Sequence, residues 1–430
     1  MRYFVGFIVL MVLSFSSQSC VFDDSTPEII KLVAPENVFA GQVVPVYFEI
    51  ENTSLRSIEI RRVEFNFSTA AGQIGDLNSE YAKTVVTSPA HISGNSKESY
   101  MFGFTVADSP TLSTTDYPVR VNIRVYWNIG MRNIYKNFNW AVRMPERVED
   151  MPAARAFGSA GVIDETLYTF GGWENVTMQG HREIFEYDID DNEWDTHSEM
   201  LPDRRIYTSS VTINDKIYIL GGFDTEKSTY TNEVLVFDGN SISVDGNLSE
   251  AKAGVAVATD RTNIYVIGGK STGDVVLGTI EKYVPAVGST VMTSTLTEPR
   301  HSGTAGFWDE KAYILGGSTN GNSIVASAVV EEFDISTDTI TQIGDLSIAT
   351  AQFGSCVRDG HVYMFGGLDS FKWQGFGMQD KKPMILGRIL ENTYGGMSAN
   401  SEDAIFHIGG WAELGNLDMV HSRVYKINME

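Results

Sequence analysis

Cysteine is nearly absent from this sequence: Cys20 and Cys356 are the only two. A disulfide framework and a cysteine-rich zinc site both need several thiols, so neither is expected. Basic residues are scarce too, with 32 Lys and Arg against 55 Asp and Glu and a net charge of −23. Binding to nucleic acid rests on neutralising phosphates with Lys and Arg, so no nucleic-acid partner is expected. The acidity reads as a solvated surface. The seven histidines, at 91, 181, 197, 301, 361, 407 and 421, form no H-E-x-x-H and no cluster with metal-ligand spacing. The acidic run Asp188–Asp195 lacks the glycine and downstream Glu of a calcium loop. A nucleophile elbow of the G-x-S-x-G type is also missing. No metal and no cofactor are expected.

What is present begins with an apolar run from Phe4 to Phe15, too short to span a bilayer comfortably, followed by small residues and Cys20. This layout resembles a bacterial lipoprotein signal, departing from it at Ser17, where such signals usually carry Leu. The resemblance implies a signal peptide over residues 1–19, lipidation of Cys20, and a short linker to residue 26. Asp23 and Asp24 resemble the surface-export signals of some lipoproteins. The expected location is therefore the cell envelope, as an outer-membrane lipoprotein exposed at the surface. Two acyl chains on one cysteine would hold it to the membrane.

From residue 168 onward one phrase returns six times: YTFGG, YILGG, YVIGG, YILGG, YMFGG and FHIGG. The glycine pairs begin at 171, 221, 268, 316, 366 and 409. Three residues earlier stand Tyr168, Tyr218, Tyr265, Tyr313, Tyr363 and Phe406; sixteen earlier stand Arg155, Arg205, Lys252, Arg300, Thr350 and Thr393. Between these marks lie a strand of small residues, a polar turn and an alternating strand. Farther on, EYDIDDNEW, VFDGNSISV, KYVPAVGST and EFDISTDTI each read as a third strand, a turn and a fourth strand. A period near 50 residues matches the kelch repeat. Six motifs in register over residues 144–430 resemble the kelch family, which implies a six-bladed β-propeller of four-stranded blades. The fifth repeat departs from the pattern, with LDSFKWQGFGMQDKKPMILGRIL where a Tyr-Asp third strand is expected. The sixth stops after VYKINME, so its fourth strand is expected from residues 142–149, closing the ring with an N-terminal strand. Cys356 falls where other repeats carry Gly161, Val211, Ala258, Gly306 and Ala399, and is expected to be a core thiol.

Residues 27–143 show no repeat but several alternating stretches, among them VVPVYFEIEN, IEIRRVEFNFS and VRVNIRVYWNI. These predict a β-sandwich of immunoglobulin-like type, read as a spacer between anchor and propeller. The fold class is thus all-β throughout.

Candidate binding residues come from loop geography. The turns leading into each first strand bring Arg155, Arg204, Arg205, Lys252, Arg300 and His301 toward the pore; the loops after the glycines bring Trp173, Phe223 and Trp411, with Phe371, Lys372, Trp373 and Phe376 in the fifth repeat. Basic groups ringed by aromatics imply binding of an acidic glycan, an acidic peptide or a protein. The competing expectation is that each arginine serves the repeat itself. Non-catalytic binding is the favoured function. The alternative is an enzyme resembling the kelch-type sialic acid epimerases, which would require a carboxylate and an Arg converging in the pore.

Overall fold

In the computed structural model the described residues are 28–33, 37–39, 43–54, 56–69, 84–85, 90–105, 116–127, 130–143, 145–174, 179–368, 372–388, 393–412 and 420–429. Cys20 and Phe371 lie outside them. Every regular element among the described residues is a strand. The chain divides into two units at Arg143 and Met144.

The first unit contains two sheets. One has the order Glu28–Val33, Val43–Asn52, Ser96–Thr105. The other runs Asn37–Phe39, Gly130–Arg143, Asp116–Trp127, Ile58–Thr69, Thr84–Val85, with Ala90–Ile92 also paired to Ile58–Thr69. Ile50, Ile58, Ile60, Ile92, Val125 and Trp127 are buried here. The Asn52 side chain, also buried, accounts for three carbonyls, donating to those of Arg56, Ile92 and Ser93 at 2.8, 3.0 and 3.0 Å.

The second unit is built from six four-stranded antiparallel sheets, taken here as blades one to six. Blade one runs Ala156–Ile163, Thr166–Trp173, Glu183–Asp188, Glu193–Met200. The next three repeat that order, from Ser209, Ala256 and Thr304. Blade five comprises Gly354–Arg358, His361–Phe365, Lys372–Gly377 and Lys382–Arg388. Blade six has Met397–Asn400, Ala404–Ile408 and Val424–Asn428, with Glu146–Val148 as its outermost strand. The first strands follow one another round an axis, blade one meeting both blade two and blade six. The expected segment 142–149 is divided: Val142 and Arg143 pair with Val38 and Phe39, whereas Glu146, Arg147 and Val148 pair with Lys426, Tyr425 and Val424.

Blade five corrects the sequence reading. Residues 372–377 are its third strand, not a face loop, and Phe376 stands opposite Val362 as Tyr187 stands opposite Leu167. Only the connection after Gly367 is short. Trp373 pairs with Phe365 and is wholly buried, its ring 5.2 Å from that of Phe365.

The double glycine is explained by the junction between blades. The first glycine of each pair has a positive φ, 57 to 69° at all six. A Cβ on any of them would come under 3.0 Å from the carbonyl oxygen of a residue in the following blade: Arg205, Lys252, Arg300, Thr350, Thr393 and, for Gly409, Arg155. In blades two to six the second glycine's N–H donates to that same carbonyl, as in Gly269 to Arg300 at 3.0 Å and Gly410 to Arg155 at 2.7 Å. The crowding that excludes a side chain is thus the neighbouring backbone. Aromatics three residues earlier fill the wedge between sheets: Tyr168 meets Phe237 edge-on at 4.9 Å, and Tyr265 stacks on Phe307 at 6.1 Å. Cys356 is free and buried, and burial pushes its thiol well above the usual range, so it is inert core.

Candidate ligand-binding face

The cations sixteen residues ahead of the glycines turn into the blades. Arg205, fully buried, is ion-paired to Asp203 and Glu233. Lys252 pairs with Glu281, both inaccessible to solvent. Arg300 meets Glu331 at 2.7 Å, again with both buried. In blades three and four the partner carboxylate occupies one strand position, opposite Val266 and Ile314. In blade one that position is Phe185, opposite Thr169, and the Arg155 guanidinium lies over its ring at 3.7 Å. Arg155 Nη1 donates to the carbonyls of Glu183 and Gly171 at 3.0 and 3.3 Å. Burial lowers its pKa to about 9, with Glu183 and Glu174 opposing that shift. None of these three arginines offers an exposed guanidinium. The basic part of the expected face is spent inside the blades, because an unpaired buried carbonyl or carboxylate there costs more than a solvated cation gains.

Two residues past each of these cations, and past Thr350 and Thr393 in blades five and six, the chain bends into the left-handed region, at Phe157, Tyr207, Gly254, Ser302, Gln352 and Gly395, with φ between 53 and 66°. The bend aligns their peptide groups head to tail around the axis. Tyr207 N–H donates to Phe157 at 2.6 Å, Gly254 to Tyr207 at 2.8 Å, and Ser302 to Gly254 at 2.7 Å. Gln352 donates to Ser302 at 3.0 Å, Gly395 to Gln352 at 2.5 Å, and Phe157 to Gly395 at 2.6 Å. Six peptides form a closed ring. Around it lies a cavity of about 140 Å³ with many hydroxyl groups in its wall, including Ser159, Ser209, Thr304 and Ser355. The Tyr207 hydroxyl reaches the Gln352 side chain of blade five; burial first, and then Tyr230, push its pKa up to about 12, so it stays a neutral donor.

In every blade but the fifth the residue after the glycine pair forms a short ladder with the residue after the cation, or after Thr393 in blade six: Trp173 with Ala156, Phe223 with Ile206, Lys270 with Ala253, Ser318 with His301, and Trp411 with Tyr394. These ladders hold the side chains of the face. Trp173 and Trp411, both half-buried, stack at 5.1 Å, and Tyr394 stacks on Trp411 at 5.3 Å. Phe157 packs against Tyr394, Trp411 and Tyr207 at 5.8, 6.3 and 4.8 Å. Blades six, one and two therefore contribute an aromatic half. Blades three and four contribute a polar half, Lys270, Ser318 and His301, with Gln352 of blade five beside it. Of the sequence candidates, the structure unites Trp173 and Trp411, removes Trp373 to the core, and sequesters the arginines. Sequence reasoning missed Phe157, Tyr207, Tyr394, Lys270 and Gln352. For all but Tyr394 the signal was available: two repeat offsets, one past the glycine pair and fourteen before it, change chemistry from blade to blade.

The Kelch motif family matches residues 154–201 and 204–238. Blades one and two are kelch repeats. The chain is 25% identical over 215 residues to the Kelch repeat protein M-T8 of Myxoma virus (strain Lausanne), covering 50% of this chain and 41% of that protein. It is 28% identical over 231 residues to Alpha-scruin of Limulus polyphemus, covering 49% of this chain and 23% of that protein. The chain thus spans less than half the length of these curated relatives. Among solved structures, that of YjhT superposes with a TM-score of 0.56 at 13% identity, covering 66% of this chain and 97% of the other. That likeness concerns the fold. Fold and function are separable, so the propeller's task has to be read from its face.

Proposed function

We propose that this propeller is a non-catalytic binding module that takes its ligand on the face carrying the glycine-pair loops. The observation that carries the reading is the stack of half-buried Trp173 and Trp411 on a buried Tyr394, beside a polar pocket on that same face. Stacked, partly buried aromatics are rigid anchors that give large contact area at little entropic cost. Kelch-repeat relatives support a binding role of this kind with a protein partner, and a glycan is the other partner the face could take. The sequestered arginines weigh against the epimerase alternative, which asks an arginine to meet a carboxylate in the pore. They also move the expected ligand away from strongly acidic molecules.

In the same reading residues 27–143 form an immunoglobulin-like spacer, Cys20 carries the lipid, and the protein works at the envelope surface. Mass spectrometry of the membrane fraction tests the anchor: an unacylated Cys20 or a retained leader overturns it. The face is tested with a Trp173→Ala/Trp411→Ala variant of the full chain on glycan arrays and in capture of envelope-exposed proteins. Binding lost with the melting curve unchanged supports the assignment; unchanged binding overturns it. Catalysed mutarotation of N-acetylneuraminic acid would instead establish the enzymatic alternative.

A further inference from the structure

We propose that the polar half of the face is a site for one neutral sugar unit, seated between Lys270, His301, Gln352 and the Tyr207 ring. The proposal rests on the binding reading above and names its ligand class. A cavity of about 190 Å³ lies there, walled by Tyr207, Gly254, Lys270, His301, Ser302 and Gln352, with residues 321–324 as its outer lip.

The wall's hydrogen-bonding chemistry selects the ligand. Lys270 Nζ donates to the carbonyl of Gly321 at 3.1 Å and pairs with Asp274 at 3.1 Å, and the Tyr230 side chain also bonds to it. The only ammonium lining the pocket therefore already has its counter-charge. His301 is buried, and its Nε2 faces the Asn320 carbonyl at 3.0 Å. A carbonyl only accepts, so Nε2 carries the proton, and Nδ1 accepts from Ser302 Oγ at 3.0 Å. Burial, the larger influence, lowers the His301 pKa against the pull of that carbonyl, so the ring is neutral. The Ser302 hydroxyl proton is committed, leaving Oγ lone pairs toward the pocket. Gln352 shares its amide with the Tyr207 hydroxyl and has a further donor and acceptor to offer.

The pocket thus balances its charges and presents an acceptor, Ser302 Oγ, beside the remaining donor and acceptor of Gln352, around one aromatic ring. A carboxylate or sulfate would face the lone pairs of Ser302, while the ammonium in the wall has its three N–H bonds committed to Gly321, Asp274 and Tyr230. An apolar group would strand the polar wall. A sugar ring meets every term, with hydroxyls that both donate and accept and a C–H face to lie on Tyr207.

The experiment is saturation-transfer NMR on the full chain with galactose, N-acetylglucosamine and glucuronate as probes. Transfer to a neutral sugar, at least tenfold reduced in Gln352→Leu, is expected, with weaker transfer to glucuronate. Because Gln352→Leu also strips the Tyr207 hydroxyl of its partner, Ser323→Trp on the exposed lip provides a second block that leaves every buried pair in place. The proposal is overturned by no transfer to either neutral sugar, by undiminished transfer in Ser323→Trp, or by stronger and salt-sensitive transfer to glucuronate. If neutral sugars fail while Trp411-dependent partner binding persists, only the pocket assignment falls. If both fail, the binding reading falls with it.

Discussion

Arg147 lies opposite Tyr425 in an antiparallel ladder that joins the two ends of the propeller sequence. Glu149, just beyond, accepts the Trp194 indole N–H at 2.9 Å and donates its own N–H to Asn192 at 3.0 Å. The short strand thus touches the last blade and the first. On this basis a chain lacking residues 21–141 should melt near the wild-type temperature, whereas one lacking residues 21–151 should melt several degrees lower, because an edge of blade six is bared. Equal melting temperatures would refute a closing role for Glu146–Val148.

The Lys252–Glu281 pair is inaccessible to solvent and is supported by the Ser289 hydroxyl at 2.5 Å and the Ser249 N–H at 2.9 Å. Burial pushes the Glu281 carboxyl up, but Lys252 and these donors pull it below its usual value. Lys252→Met should destabilise by about 3–5 kcal/mol, since a buried carboxylate loses its cation. Adding Glu281→Leu should restore most of that loss in a denaturant titration; a double mutant as weak as the single would show that packing, not charge, decides the site.

Gly268→Ala should cost more than about 2 kcal/mol, combining a left-handed backbone with a Cβ driven against the Arg300 carbonyl. Gly273→Ala, at a positive φ but in open space, should cost only about 1–2 kcal/mol. The difference between the two measures the inter-blade contact.

His407 is buried, with Nε2 2.7 Å from Thr393 Oγ1, and burial together with His421 lowers its pKa to about 3. The unfolded chain protonates this histidine near pH 6.5 while the folded chain resists. Below pH 6.5 the unfolded state therefore binds more protons, and stability falls as the pH drops from 6.5 toward 3, by up to about 1.4 kcal/mol per unit from this group. Urea melts at stepped pH should show a shallower slope for His407→Gln; an identical slope would assign the acid sensitivity elsewhere.

The blades were readable because their residues answer to one another every 50 positions or so. Gly171, Tyr168 and Arg155 each recur in register, and a wedge of sheets admits few side chains at such places. Blade five hid its third strand because Gly377 stands where Asp188 and Asp334 follow the aromatic, Gln374 stands where blades three and four carry Glu281 and Glu331, and the connection is short. Arg155, Arg205 and Arg300 were placed correctly along the chain but not across it. Whether a side chain at a bend faces solvent or sheet depends on the φ of the residues that follow, which spacing alone does not reveal. The face was least legible: Trp173, Trp411, Tyr394, Lys270 and Gln352 arrive from different repeats, and only the circular arrangement makes them neighbours.

The six linked peptides from Phe157 to Gly395 act as a hoop at the hub of the wheel. In a linear array each repeat rests on its neighbours and the ends fray first. A hoop has no end, so tilting any one blade must break a bond on each side of it. Bending at one sector is then felt at the sector opposite, and the aromatic and polar halves of the face are kept at a fixed angle to each other. Partners that engage both halves meet a rigid plate rather than two movable jaws, and selectivity must come from the shape of what approaches it.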